Sequence, residues 1–140
     1  PEVIIGHSIG GMTTVFHQHK FPSKSIQKLV LLGPPSELSA IMSNYQEILN
    51  LKPRVMKGLE KRFQTKLGYR FAEFSIAKFA KEVQQPTLVI HDKYDKIAPV
   101  EASKSIHQNL QHSEFIETEG AGHSLNNDDI YSAIIKFLEQ

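Results

Sequence analysis

A chain of 140 residues has room for one domain with a sizeable core. Its 40% hydrophobic and 22% charged residues describe an ordinary soluble globular protein, and 16 basic against 15 acidic side chains leave a net charge of +1. That balance excludes a strong electrostatic footprint for nucleic acid or an anionic membrane. There is no cysteine, hence no disulfide framework and no thiolate metal site, which fits a reducing, cytoplasmic setting. No apolar run approaches the length that spans a bilayer.

Val3, Ile4 and Ile5 are β-branched and predict a short buried strand. The chain then turns through Gly6-His7-Ser8-Ile9-Gly10 into a segment with helical periodicity, Met12, Val15, Phe16 and His19, expected to run from about Ile9 to His19. This is Gly-x-Ser-x-Gly in a strand, sharp turn, helix setting, where the serine hydroxyl projects clear of the sheet. By chance about 0.05 such pentapeptides are expected in a chain this long. Gly6 and Gly10 are both expected where a Cβ would collide with a neighbouring element. The Ile9 amide, at the helix N-terminus, is placed to donate to a developing oxyanion.

Pro22 stops the first helix, and Lys28–Leu32 is a continuous apolar run of the kind covered on both faces of a parallel sheet. Gly33-Pro34-Pro35 ends it. From Ser36 to about Val83 the pattern is helical, with no strand. Leu38, Ile41, Met42, Tyr45, Ile48 and Leu49 form one stripe; Pro53 opens a second helix carrying Val55, Leu59, Phe63 and Leu67, with Gly68 as its C-cap. A third helix would carry Phe71, Phe74, Ala77 and Phe79, aromatics better suited to core packing than to lining an acyl pocket. Alternation then resumes. Thr87–His91 is a strand, Pro99 opens a helix with Val100, Ile106 and Leu110, and Ser113–Thr118 is a strand. A last helix begins near Asn127-Asp128-Asp129, which cap it and complement its dipole. The fold class is α/β, with a parallel sheet of about four strands.

A serine needs a base within hydrogen-bond reach, and a histidine serves if a carboxylate fixes its tautomer. Doubly wound folds put such groups beyond the carboxyl ends of strands. Asp95 lies there, after the strand ending at His91, and His123 lies in Gly120-Ala121-Gly122-His123 after the strand ending at Thr118. Asp92 is the competing acid, but it sits too near the strand end to reach as easily. His7, beside Ser8, reads as packing or as a wall of the substrate site. His17 and His19, two apart, diverge on a helix and make a poor metal pair. His91, His107 and His112 call for no function. No cofactor or metal is expected: Gly6–Gly11 lacks the second half of either phosphate-binding fingerprint.

The order Ser, Asp, His with a Gly-x-Ser-x-Gly elbow resembles the α/β-hydrolase pattern. The segment His91-Asp92-Lys93-Tyr94-Asp95-Lys96-Ile97-Ala98-Pro99 is similar to that family's His-Gly-x-x-Asp-x-x-Val-Pro, with Asp92 in place of the glycine. The likeness covers roughly 1–33 and 86–140, and 36–83 stands where the family inserts a helical lid. It implies a serine hydrolase acting on a carboxylic ester or related acyl bond of a small-molecule substrate. Ser8 would be the nucleophile, His123 general base then acid, Asp95 the orienting carboxylate and the Ile9 amide an oxyanion donor. It also implies that only the fifth to eighth of the family's strands are present, in line with a sequence that starts at Pro1 without methionine, as if cut from something longer. The loop that supplies a second oxyanion donor would then be missing, at about 10²–10³ in rate. The Val3–Ile5 strand would be an open apolar edge, so the alternative is a non-catalytic piece that associates through it, as a homodimer or with the absent half.

Overall fold

The computed structural model describes residues 2–140; Pro1 lies outside them. Strands β1 (Val3–His7), β2 (Lys28–Leu32), β3 (Thr87–Asp92) and β4 (Ser113–Thr118) form one sheet in the order β1-β2-β3-β4. Every pair is parallel, as the unbroken apolar runs predict. Helices α1 (Ile9–Lys20), α4 (Ile76–Ala80) and α5 (Val100–Asn109) connect successive strands. Because the order never reverses, right-handed crossovers put all three on one face of the sheet. Helix α6 (Asp128–Glu139), which follows the last strand, covers the other face.

The strand alternation divides the core accordingly. Val30, Leu88 and Ile90 meet Ile130, Ile134 and Phe137 of α6, together with Leu125. Leu29, Leu31 and Val89 point the opposite way and are likewise fully buried. Each such side chain contributes about 1.5–3 kcal/mol. Asn127 caps α6 by accepting from the Ile130 amide at 2.9 Å, as its position in the sequence suggests.

Two compact units divide the chain: residues 2–36 with 76–140, and residues 37–75. The second contains α2 (Leu38–Ile48), α3 (Pro53–Leu67) and a 3-10 turn, Phe71–Glu73. Helix α3 ends at Gly68 with φ 84°, the left-handed cap that a glycine supplies without strain. Phe63 meets the edges of Phe71 and Phe74 at 5.5 and 5.3 Å, so these aromatics form the centre of this small unit.

The structure corrects the reading of residues 36–83 as one helical stretch. An antiparallel bridge pairs Glu37 with Ser75, and the Ser75 hydroxyl donates to the Glu37 carboxylate at 2.7 Å. The backbone is therefore extended where a third helix was expected to run through Phe74. Ile76, Ala77, Phe79 and Ala80 are buried in the first unit instead, where Phe79 stacks on His19 at 4.5 Å. Among the described residues no helix is long and apolar enough to cross a membrane.

Candidate active site

The elbow after β1 is held in a conformation that L-residues avoid. Ser8 has φ 53° and ψ −121°, and its amide donates to the Leu32 carbonyl at 2.8 Å. Backbone strain of this kind costs on the order of 1–3 kcal/mol and persists only where the surroundings impose it. What imposes it is the close approach of α1 to the end of β1. A Cβ on Gly6 would lie 2.7 Å from backbone atoms of Gly10 and Gly11. The expectation for Gly10 is corrected, since a Cβ there meets nothing within 4 Å. The second glycine the packing requires is Gly11, whose added Cβ would stand 3.0 Å from the Gly6 carbonyl oxygen and 3.1 Å from Pro34. Helix phase turns residue 11, not residue 10, toward the sheet.

Three side chains from three loops meet at the carboxyl ends of the strands. His123 Nδ1 donates to Asp95 Oδ2 at 2.6 Å. The acceptor-only carboxylate puts the proton on Nδ1, which leaves the Nε2 lone pair to accept the Ser8 hydroxyl at 3.0 Å. That is the tautomer a general base needs. The Asp95 side chain is fully buried, and the His123 side chain is 20% exposed. Ile9 opens α1, and the first amides of a helix have no intrahelical acceptor, so its N–H stands at the elbow able to donate.

Asp95 is itself held by three donors. Its Oδ1 accepts the Ile97 amide at 2.7 Å and the Ala98 amide at 3.1 Å, and Oδ2 accepts from His123, with His91 Nε2 close by at 3.2 Å. Burial works against its charge, but the His123 hydrogen bond and the Ile97 and Ala98 amides outweigh it and hold its pKa below the ordinary carboxylate value.

His91, read from the sequence as needing no role, is fully buried behind Asp95. Its Nε2 faces two acceptors, Asp95 and the Ala98 carbonyl at 2.9 Å, and so carries the proton, while Nδ1 lies 2.6 Å from the Ser103 hydroxyl. The signal that would have found it is its place four residues before the acid, near the end of β3. Gly33 was also missed. It follows β2 with φ 56°, and an added Cβ would stand 3.7 Å from both Asp95 Oδ2 and His123 Nδ1. His7, expected in the substrate wall, donates from Nε2 to the His123 carbonyl at 2.7 Å, with the two rings 5.0 Å apart.

Asp92 does not reach His123. Its carboxylate is fully buried; Oδ1 accepts the Tyr94 amide at 3.0 Å, and Oδ2 accepts the Thr118 hydroxyl at 3.0 Å and the Ala121 amide at 2.8 Å. Burial raises its pKa, but the Tyr94 and Ala121 amides, Thr118 and the Gly122 amide together bring it below the usual value. A carboxyl group whose pKa is lower in the folded than in the unfolded chain stabilises the fold above the unfolded value, about 3.9, and stops doing so as pH falls through the folded one. The gap in thermal midpoint between the parent chain and Asp92→Asn is therefore expected to be full at pH 6 and to close as the pH is lowered below about 4. A gap that stays constant down to pH 2 in calorimetric scans would contradict this.

Comparison with known proteins agrees with this architecture. The TAP-like protein family model, an abhydrolase family, matches residues 72–140, the part that bears Asp95 and His123. No curated protein matches. Among solved structures, an esterase domain from Rhodothermus marinus is similar with TM-score 0.66 and 22% identity, over 99% of this chain and 57% of that one. A bromoperoxidase from Bacillus anthracis is similar with TM-score 0.70 and 18% identity, over 99% of this chain and 67% of that one. A serine hydrolase involved in carbazole degradation gives TM-score 0.67 and 22% identity, over 98% of this chain and 63% of that one. The chain thus spans about three-fifths of the length of these structures.

Proposed function

The chain is an α/β-hydrolase by fold, and from that premise we propose that it is a serine hydrolase cleaving a carboxylic ester or related acyl bond. One observation carries the reading: the unbroken hydrogen-bonded run from Asp95 through His123 to the hydroxyl of a strained Ser8. Ser8 Oγ attacks the carbonyl carbon as its proton passes to His123 Nε2, and Asp95 stabilises the imidazolium that forms. Charge developing on the carbonyl oxygen faces the Ile9 amide. The bond to the leaving group breaks, and His123 returns the proton to it. Water then attacks the acyl-Ser8 ester with His123 again as base, releasing the acid and restoring the hydroxyl. On this reading His7, beside the nucleophile, is a wall of the substrate site, and the segment 36–83 is the inserted lid.

A fluorophosphonate probe tests this on the 140-residue chain. Mass spectrometry is expected to find a single adduct, on Ser8. A folded chain that stays unlabelled would sink the proposal.

A second reading draws on the sheet edge. Among the described residues β1 pairs with β2 alone, and Ile5 is 53% exposed. Such an edge favours strand addition. A two-fold pairing of two β1 strands would run them antiparallel and make one continuous sheet of two copies. An unlabelled chain that sediments as a dimer is the outcome this reading expects.

A further inference from the structure

The acid loop and the histidine loop are joined by a side chain that does no chemistry in the scheme above. Asp92 is a fully buried carboxylate at the end of β3, and among the described residues no cation pairs with it. Burying an unpaired charge is strongly unfavourable unless dipoles replace the lost water. Hydrogen-bond donors do so here, and they come from both sides, the acid loop and the histidine loop with the strand end before it. Oδ1 holds the Tyr94 amide, which fixes the turn leading to Asp95. Oδ2 holds Thr118, at the end of β4, and the Ala121 amide two residues before His123.

The second attachment falls at an informative place. Ala121 stands between Gly120, φ 89°, and Gly122, φ 59°. A Gly-Ala-Gly loop has wide backbone freedom; the Ser124 hydroxyl donates to the Ala121 carbonyl at 3.2 Å and His7 holds the His123 carbonyl, but Asp92 is the side chain that ties this loop to the turn leading to Asp95. The His123–Asp95 bond is 2.6 Å long, so the two loops must be held to a fraction of an ångström.

We propose that Asp92 is a positioning residue: its carboxylate tethers the loop of His123 to the loop of Asp95 and so sets the length of the bond between them. The proposal deepens the hydrolase reading and takes its catalytic meaning from it. Misplacement of such a pair by about 1 Å costs on the order of 10²-fold in rate, so phosphonate labelling of Asp92→Asn is expected to slow by up to that factor.

The deciding experiment does not need activity. In the full chain, the His123 Nδ1 proton, shared with a buried carboxylate, gives a far-downfield proton NMR signal, identified by its loss in Asp95→Asn. Asp92→Asn is expected to broaden this signal beyond detection while amide dispersion outside 92–95 and 118–123 is retained, and Thr118→Val, which removes one donor, to broaden it in part. A folded Asp92→Asn chain that keeps the signal sharp overturns the tether. If Asp92→Asn gives no dispersed spectrum, Thr118→Val decides alone: broadening supports the tether, and an unchanged signal overturns it. Absence of the signal in the parent chain would overturn the Asp95–His123 pairing on which the proposal stands. A parent chain that resists the phosphonate, yet shows a signal sensitive to Asp92→Asn, would sink the hydrolase reading and leave the tether standing.

Discussion

Ser8→Ala is expected to abolish phosphonate labelling and to lower acyl transfer by about 10⁶-fold, the loss seen when the nucleophile of such a unit is removed. Ser8→Gly should be as inactive and yet more stable than Ser8→Ala by about 1 kcal/mol. Both variants lack the hydroxyl that donates to His123 Nε2, so they differ in one methyl group and in backbone freedom. At φ 53° and ψ −121° an alanine keeps the strain of about 1–3 kcal/mol, whereas a glycine relieves it. Against that stands the greater freedom of an unfolded glycine, roughly 0.5–1 kcal/mol. Urea titrations of the two variants read the difference. If alanine is the more stable, the elbow is not strained and the argument for a Ser8 held out by the fold fails; retained turnover in either means the nucleophile is another residue.

Asp95→Asn is expected to lower kcat by about 10⁴-fold with KM little changed, as measured on a chromogenic ester. The reason lies in proton placement. The carboxylate offers His123 Nδ1 an acceptor alone, so Nε2 is left unprotonated toward Ser8. An amide nitrogen at the Oδ2 position would face Nδ1 with a donor and push the imidazole proton to Nε2, where it blocks the abstraction. Turning the amide over would not restore order, because Oδ1 accepts from Ile97 and Ala98 and Oδ2 from His123. One arrangement sets a donor against the imidazole, the other against two backbone amides. Unsatisfied groups of this kind destabilise by about 1–3 kcal/mol each, so the variant should also unfold earlier. A loss in kcat of less than tenfold would show that Asp95 does not set the tautomer.

Much of this molecule is legible in the order of its residues, wherever the signal is local. The strands follow from runs such as Leu29-Val30-Leu31 and Leu88-Val89-Ile90, the helix limits from Pro53, Gly68 and Asn127, and the loops of the candidate site from their places just beyond strand ends. The strand-turn-helix setting of Ser8 and the chain order of serine, aspartate and histidine need no coordinates. What the chain pattern could not decide is every relation made across the fold. Gly10 and Gly11 are equivalent in the sequence, and the phase of α1 over β1 alone makes the second the close contact. Apolar spacing alone carried the expected helix through Phe74, and a bridge to Glu37, 38 residues away, stopped it. His91, His7 and Asp92 take their roles from partners on other elements, Asp95, the His123 carbonyl and the Ala121 amide. Hydrogen bonds of that kind join residues as far apart as 116 positions, and only the packed sheet brings their ends within 3 Å.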